Sequence, residues 1–216
     1  MKIFEMLIPM TIEGLKVTLG VFAVTLIFSL PLAVIVALLR RSKNKLISGI
    51  TAGYIYVMRG TPLLLQLMFI FFGFHFVPLI GYSFSRFQAI YIAFILNYTA
   101  YFAEIFRAGI NAIDIGQYEG ATVLGMSKSY TFMKIILPQV IKTVVPAVGN
   151  EVITLVKDTS LVYILGASDI LKAAKSVSNV YSAFSPYIFI AFVYLFIVAV
   201  LTKALSMIEN KYNYYR

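Results

Sequence analysis

Residues 17–39 carry no charge, and a run of that length crosses the ~30 Å hydrocarbon core of a bilayer as one helix. Four more apolar blocks follow. Residues 47–77 hold Arg59 as their only charge, residues 87–108 form the next block, and residues 187–205 the last. The block beginning near Gln139 is the least apolar, with Lys142, Pro146, Asn150, Glu151, Lys157 and Asp158. This pattern predicts an all-α polytopic membrane protein, a single transmembrane domain over 1–216. Its five spans fall at about 12–40, 50–78, 87–109, 139–158 and 186–208. Pro31 is expected to kink the first span, and Pro138 to end or kink whatever precedes it. Residues 160–185 are mixed in polarity and read as an external re-entrant or interfacial segment, with a helix near 167–177.

The polar positions between blocks orient the chain. Arg40, Arg41, Lys43 and Lys45 follow the first span directly, so the positive-inside rule places them in the cytoplasm and the N-terminus outside. Lys203, Lys211 and Arg216 bring the C-terminus to the cytoplasmic side. Lys172 and Lys175 run against the rule, which makes 160–185 the weakest part of this topology. Glu5 and Glu13 break up the opening, and the first run lacks a small-residue cleavage site, so it reads as a retained anchor and not a signal peptide.

Composition agrees: 61% of residues are hydrophobic, 12% are charged, and the mean hydropathy is +0.90. The net charge of +9 would suggest nucleic acid in a soluble chain, but topology accounts for the cations here, and no nucleic-acid role is assigned. Cysteine is absent, which removes disulfides and thiolate metal sites. No metal site and no catalytic residue is expected. His75, the lone histidine, sits among phenylalanines as an interfacial packing residue, poorly placed to serve Ser29 or Ser160 as a base.

Polar groups at membrane depth are costly and face a pore or another helix. Counting 1.5 Å per helical residue, Asn97 lies ~15 Å from Arg86 and Glu151 ~18 Å from Pro138, both near mid-membrane. Asn97, Tyr101 and Glu104 share one helix face at i, i+4, i+7; Glu151, Thr154 and Asp158 share another at i, i+3, i+7. If the faces meet, these six residues form a polar pocket holding carboxylates, suited to a substrate that carries a cation. Structural readings stand beside this one. Glu104 and Arg107 make an i, i+3 pair, Asp158 adjoins Lys157, Lys142 is a possible partner for Glu151, and Asn97 is able to bond a neighbouring helix. Arg59 either reaches an interface or snorkels.

One stretch between two spans is not itself a span. In 119–138, EGATVLGMSKSYTFMKIILP, Lys128 and Lys134 interrupt the apolar run, Gly125 supplies a turn and Ser127 a cap. A short helix, a glycine turn and a longer helix make a knob suited to docking a soluble partner. Residues 120–127 nearly spell a phosphate-binding loop, but Met126 stands where its lysine is required and no strand precedes it.

Glu119, Ala121, Gly125, Ile135, Leu137 and Pro138 fit the spacing E-x-A-x3-G-x9-I-x-L-P. This resembles the cytoplasmic "EAA" stretch of bacterial ABC importer permeases, with Gly120 where alanine is usual. TIEGLKVTLG at 11–20, RGTP with Leu64 and Gln66, the series Tyr101, Ala103, Glu104, Arg107, Gly109, Gly116, Gln117, and KDTSL at 157–161 are similar to the polar amino acid branch. The resemblance implies a type I ABC importer permease fold in a bacterial plasma membrane, with 117–127 as a coupling helix. Gln117, Glu119, Gly120, Ala121, Thr122, Gly125, Met126 and Ser127 would then contact the ATPase. It further implies a pair of ATPase subunits that bind ATP and magnesium, since this chain supplies no cofactor site and catalyses no reaction. A second permease subunit (a homodimer favoured over a heterodimer), an extracytoplasmic amino acid-binding protein and membrane lipid complete the partners. A proton- or sodium-coupled secondary transporter would need more spans, often as a repeat, and leaves 119–138 unexplained.

Overall fold

The computed structural model describes residues 2–77 and 81–212, and these are helical with no strand. Four helices are long and apolar enough to cross a membrane, and a bent pair makes a fifth candidate. The first, α1 (Lys2–Arg40), runs unbroken through Pro9 and Pro31 and begins well before the expected 12. The central helix is α4 (Arg86–Asn111), opened by a capping box in which Ser85 and Gln88 satisfy each other's backbone. Around it stand α1, α2 (Lys45–Gly60), α3 (Leu63–Met68) and α7 (Leu137–Asp158). The outermost span, α9 (Ser185–Tyr212), packs on α7 and on α8 (Ile170–Tyr181), and turns Phe192, Leu195, Phe196 and Val200 outward. Arg216 lies outside the described residues.

Small residues let the two central helices approach. The buried stripe of α1 reads Thr11, Gly14, Thr18, Val21, Thr25, Ser29, Ala33, Ala37, and α4 answers with Ala89, Ala93, Ala100 and Ala103. In lipid, apolar bulk gains nothing by facing inward, so close backbone contact carries the packing along this seam, while α4 also buries Phe94, Tyr98 and Phe102. Gly14 brings α1 close to the backbone of α8. A methyl group there would lie 2.6 Å from the carbonyl carbon of Asp169, at the start of α8. The Asp169 carboxylate itself caps α8, accepting from the backbone N–H groups of Leu171 and Lys172 at 3.1 Å each. Because backbone and not a flexible side chain blocks the space, Gly14→Ala is expected to cost roughly 1–3 kcal/mol. A lower Tm for the inserted protein in nanodiscs would register it, and an unchanged Tm would contradict the close contact.

Two expectations need correction. Pro138 does not end its helix. The chain passes from α6 (Lys128–Thr131) through a π-turn (Phe132–Ile136) into α7, with Pro138 in the first turn of α7. The wider π-turn sits where the proline ring would otherwise press on the preceding carbonyls, so the helix continues. The 160–185 segment begins as a 3-10 extension of α7 (Thr159–Leu165), stopped by left-handed Gly166 at φ 79°; its helix, α8, starts and ends a few residues later than expected.

Candidate functional site

The site begins with a proline. At 60–62 the chain bends by 105° between α2 and the helix that α3 opens. Pro62 has no N–H, so the carbonyl of Met58, four residues back, loses its helical partner. Two side-chain amides replace it. Asn97 Nδ2 donates to Met58 O at 3.0 Å and Gln66 Nε2 donates to the same oxygen at 2.9 Å. Asn97 also donates to Gln66 Oε1 at 3.0 Å, and Gln66 donates to Thr61 Oγ1 at 2.8 Å. Pro62 itself holds the N-cap position of α3, and Thr61 closes α2.

Gln66→Leu removes most of this network and strands polar backbone in an apolar setting. The expected cost is about 1–3 kcal/mol, read as a fall in Tm with uptake reduced in parallel. Retention of both would show that the bend holds without the amide.

The bend borders a cavity of about 380 Å³ between α4 and α7. Thr61, Pro62, Leu63 and Leu64 form one wall, Asn97, Tyr98 and Tyr101 the second, and Glu151, Thr154, Asp158 and Leu161 the third. Tyr98, fully buried, donates its hydroxyl to Asp158 Oδ2 at 2.7 Å. The Thr154 hydroxyl bonds back to Asn150 O at 3.0 Å. Among the described residues no ion pair involves Glu151 or Asp158, and no cationic side chain lines this cavity. Lys157 points outward, and Lys142 lies at a different cleft, beside Asp114 and Gln117. The cavity thus offers two carboxylates, two tyrosines and an amide to whatever enters, set among the apolar side chains of Pro62, Leu63, Leu64 and Leu161. Such a site suits a positively charged ligand that brings its own hydrogen-bond donors.

Asn97, Tyr101, Glu151, Thr154 and Asp158 border this one cavity, whereas Glu104 does not. Its carboxylate is gripped by Arg107, whose Nε and Nη2 donate to separate oxygens, Nε at 2.8 Å. Arg59 stands 4.0 Å from Glu104 and lies over the ring of Tyr101, 5.3 Å from its centroid. These groups, with Arg40, line a neighbouring cavity of about 460 Å³. Tyr98 and Gln66 were not among the expected site residues. The Tyr98 signal was its position next to Asn97 on α4, and that of Gln66 was its place in the string after Pro62.

The stretch after α4 folds as a separate knob. Asp114 caps α5 (Ile115–Val123), accepting from Gly116 N at 2.6 Å. The helix stops in a Schellman turn: Gly125 N donates to Thr122 O, Met126 N donates to Ala121 O, both at 3.0 Å, and Gly125 adopts φ 71°. Thus α5 is shorter than the expected 117–127 and starts earlier. Only Ala121 of α5 is buried, while Gln117, Glu119, Gly120 and Thr122 are exposed. Gly125 and Ser127 lie in the exposed turn beyond it, with Met126 half-buried. Val123 and Leu124 stand out at 87% and 73% exposure, an apolar tip with nothing over it in a single chain. Ser127 caps the next helix through Tyr130 N.

A bundle of membrane-length helices, one of them broken, with a polar cavity between helices and an exposed knob, defines a polytopic membrane protein. The chain belongs to the family of binding-protein-dependent transport system inner membrane components, whose description matches residues 29–214. It is similar to the arginine transport system permease protein ArtQ of Bacillus subtilis (strain 168), 38% identical over 206 residues covering 94% of this chain and 93% of that one. It is also similar to a putative glutamine transport system permease protein, GlnP, of Rickettsia bellii (strain RML369-C), 39% identical over 201 residues and 93% and 91% of the two chains. Among solved structures, an amino acid ABC transporter with histidines superposes at a TM-score of 0.87, with 37% identity and 94% of each chain covered.

Proposed function

We propose that this chain is the permease subunit of an ATP-driven importer of polar amino acids, with a preference for basic ones. The observation that carries the preference is the cavity between α4 and α7, with Glu151 and Asp158 on its wall and no cationic side chain among its lining residues. A guanidinium, ammonium or imidazolium group entering it supplies the missing charge, and Asn97, Tyr101 and Thr154 hold the rest of the ligand. The names of the relatives, one arginine and one glutamine permease, support amino acids as the class.

In this reading the N-terminus is external and the C-terminus cytoplasmic, with the Arg40–Lys45 cations inside. A separate pair of ATPase subunits binds ATP with magnesium and receives α5 in a surface cleft, Val123 and Leu124 seating first. A second copy of the permease completes the assembly, and an external binding protein delivers the amino acid. Closure of the ATPase pair favours the outward-facing arrangement of the assembly, and its opening after hydrolysis returns the pocket to the cytoplasm.

Uptake into proteoliposomes holding permease, ATPase and binding protein tests this. Arginine, lysine and histidine are expected to accumulate only with ATP and ahead of glutamine. Preference for glutamine would overturn the basic specificity. Uptake driven by an ion gradient without the ATPase would overturn the ATP-driven reading itself.

A further inference from the structure

The two neighbouring cavities have opposite electrostatic character, and one side chain separates them. On one side of Tyr101 lie Glu151 and Asp158, with no cationic side chain in the lining. On the other side lie Arg40, Arg59 and Arg107 with a single carboxylate, Glu104, already held bidentately by Arg107. Arg40 is partly committed too, donating to Ser48 Oγ at 2.8 Å. Arg59 is not: it reaches Glu104 only at 4.0 Å, and its guanidinium lies over the Tyr101 ring. None of the side-chain hydrogen bonds among the described residues uses Arg59, so its N–H groups are free to grip a carboxylate in two parallel hydrogen bonds.

Every amino acid carries an α-carboxylate, and the cavity holding Glu151 and Asp158 offers that group no cation. We propose that the arginine-lined cavity is a second amino acid station, binding the substrate's α-carboxylate through Arg59 on the far side of Tyr101. This rests on the amino acid reading above. At about 460 Å³ the cavity admits one amino acid. Because Arg40, at the end of α1, lines it, it lies toward the side carrying the basic loop and is the later station on an inward route. Glu104 and Arg107 position Arg59, the former by attraction and the latter by keeping Glu104 charged and still. Movement of the Tyr101 ring passes the ligand between stations: its cation leaves two carboxylates as its carboxylate gains Arg59. Opposed charges on the two sides of the partition thus leave the moving zwitterion one charged partner at each station.

Equilibrium binding to the nucleotide-free permease–ATPase complex in nanodiscs distinguishes the two stations. L-arginine and agmatine, which is arginine without its carboxylate, serve as labelled probes. The wild-type complex is expected to bind one more L-arginine than agmatine per permease chain at saturation. Arg59→Gln should lose that extra L-arginine while the number of agmatine molecules bound per chain is kept, which also shows that the protein is folded. Arg59→Lys keeps the charge and should retain the extra site, weakened about tenfold by loss of the two-pronged contact. Equal stoichiometry of the two probes in the wild type, or an extra L-arginine that survives Arg59→Gln, would overturn the second station. Agmatine binding that is indifferent to Glu151→Gln would instead overturn the first pocket and leave the second station standing on the L-arginine difference.

Discussion

Glu151→Gln is expected to depress uptake of arginine, lysine and histidine by about thirtyfold or more, the range set by truncating one partner of a desolvated charge pair. Glutamine uptake should change little, and basal ATP hydrolysis should persist. The size of the effect follows from the setting. Glu151 is half-buried between α4 and α7, without an ion-pair partner among the described residues, so an incoming cation meets a charge that solvent screens poorly. Glutamine keeps the shape and the acceptor oxygen but removes the charge. Asp158, held by the Tyr98 hydroxyl, remains to give residual binding. The substitution therefore separates electrostatics from packing. Unchanged uptake of the basic amino acids would make Glu151 a structural residue and remove the pocket, while family membership would be untouched.

The second large effect belongs to Gly125. Gly125→Pro is expected to bring ATP-driven uptake to background while the chain still inserts and still binds substrate. Three requirements fail together. The position needs φ 71°, proline holds φ near −65°, and the N–H that Gly125 donates to Thr122 O disappears. The ring further disfavours the helical conformation of Leu124 before it. The end of α5 unwinds, and the apolar tip at Val123 and Leu124 loses its place. Gly125→Asn, which tolerates a left-handed backbone, should keep most of the uptake. Co-purification of the ATPase with each variant, alongside uptake, reads the result. Full uptake with Gly125→Pro would show that this turn does not carry coupling.

Much of this was legible in one dimension. The apolar blocks announced the spans because a bilayer demands about twenty apolar residues per crossing. The Glu119–Pro138 spacing, Gly125 and Ser127 announced the knob, since turn and cap chemistry is local. Helical periodicity placed Asn97 with Tyr101, and Glu151 with Thr154 and Asp158, on common faces. It could not separate Glu104 from that group, because a face seven residues long reaches past the wall of one cavity into the next. Nor did local rules foresee that the helix would continue past Pro138; propensity counts the proline but not the π-turn that absorbs it.

By itself the sequence determined an all-helical membrane chain and its exposed knob, because each of these answers to the solvent or to residues a few positions away. Tertiary structure alone decided that α4 is the axis and that α1 closes on it along a seam of small residues. It alone decided that Asn97 and Gln66 meet over the carbonyl orphaned by Pro62, and that Tyr101 divides an acidic cavity from a basic one. Those facts depend on which helix faces which, and side chains 31 to 60 positions apart find each other only once the bundle has closed.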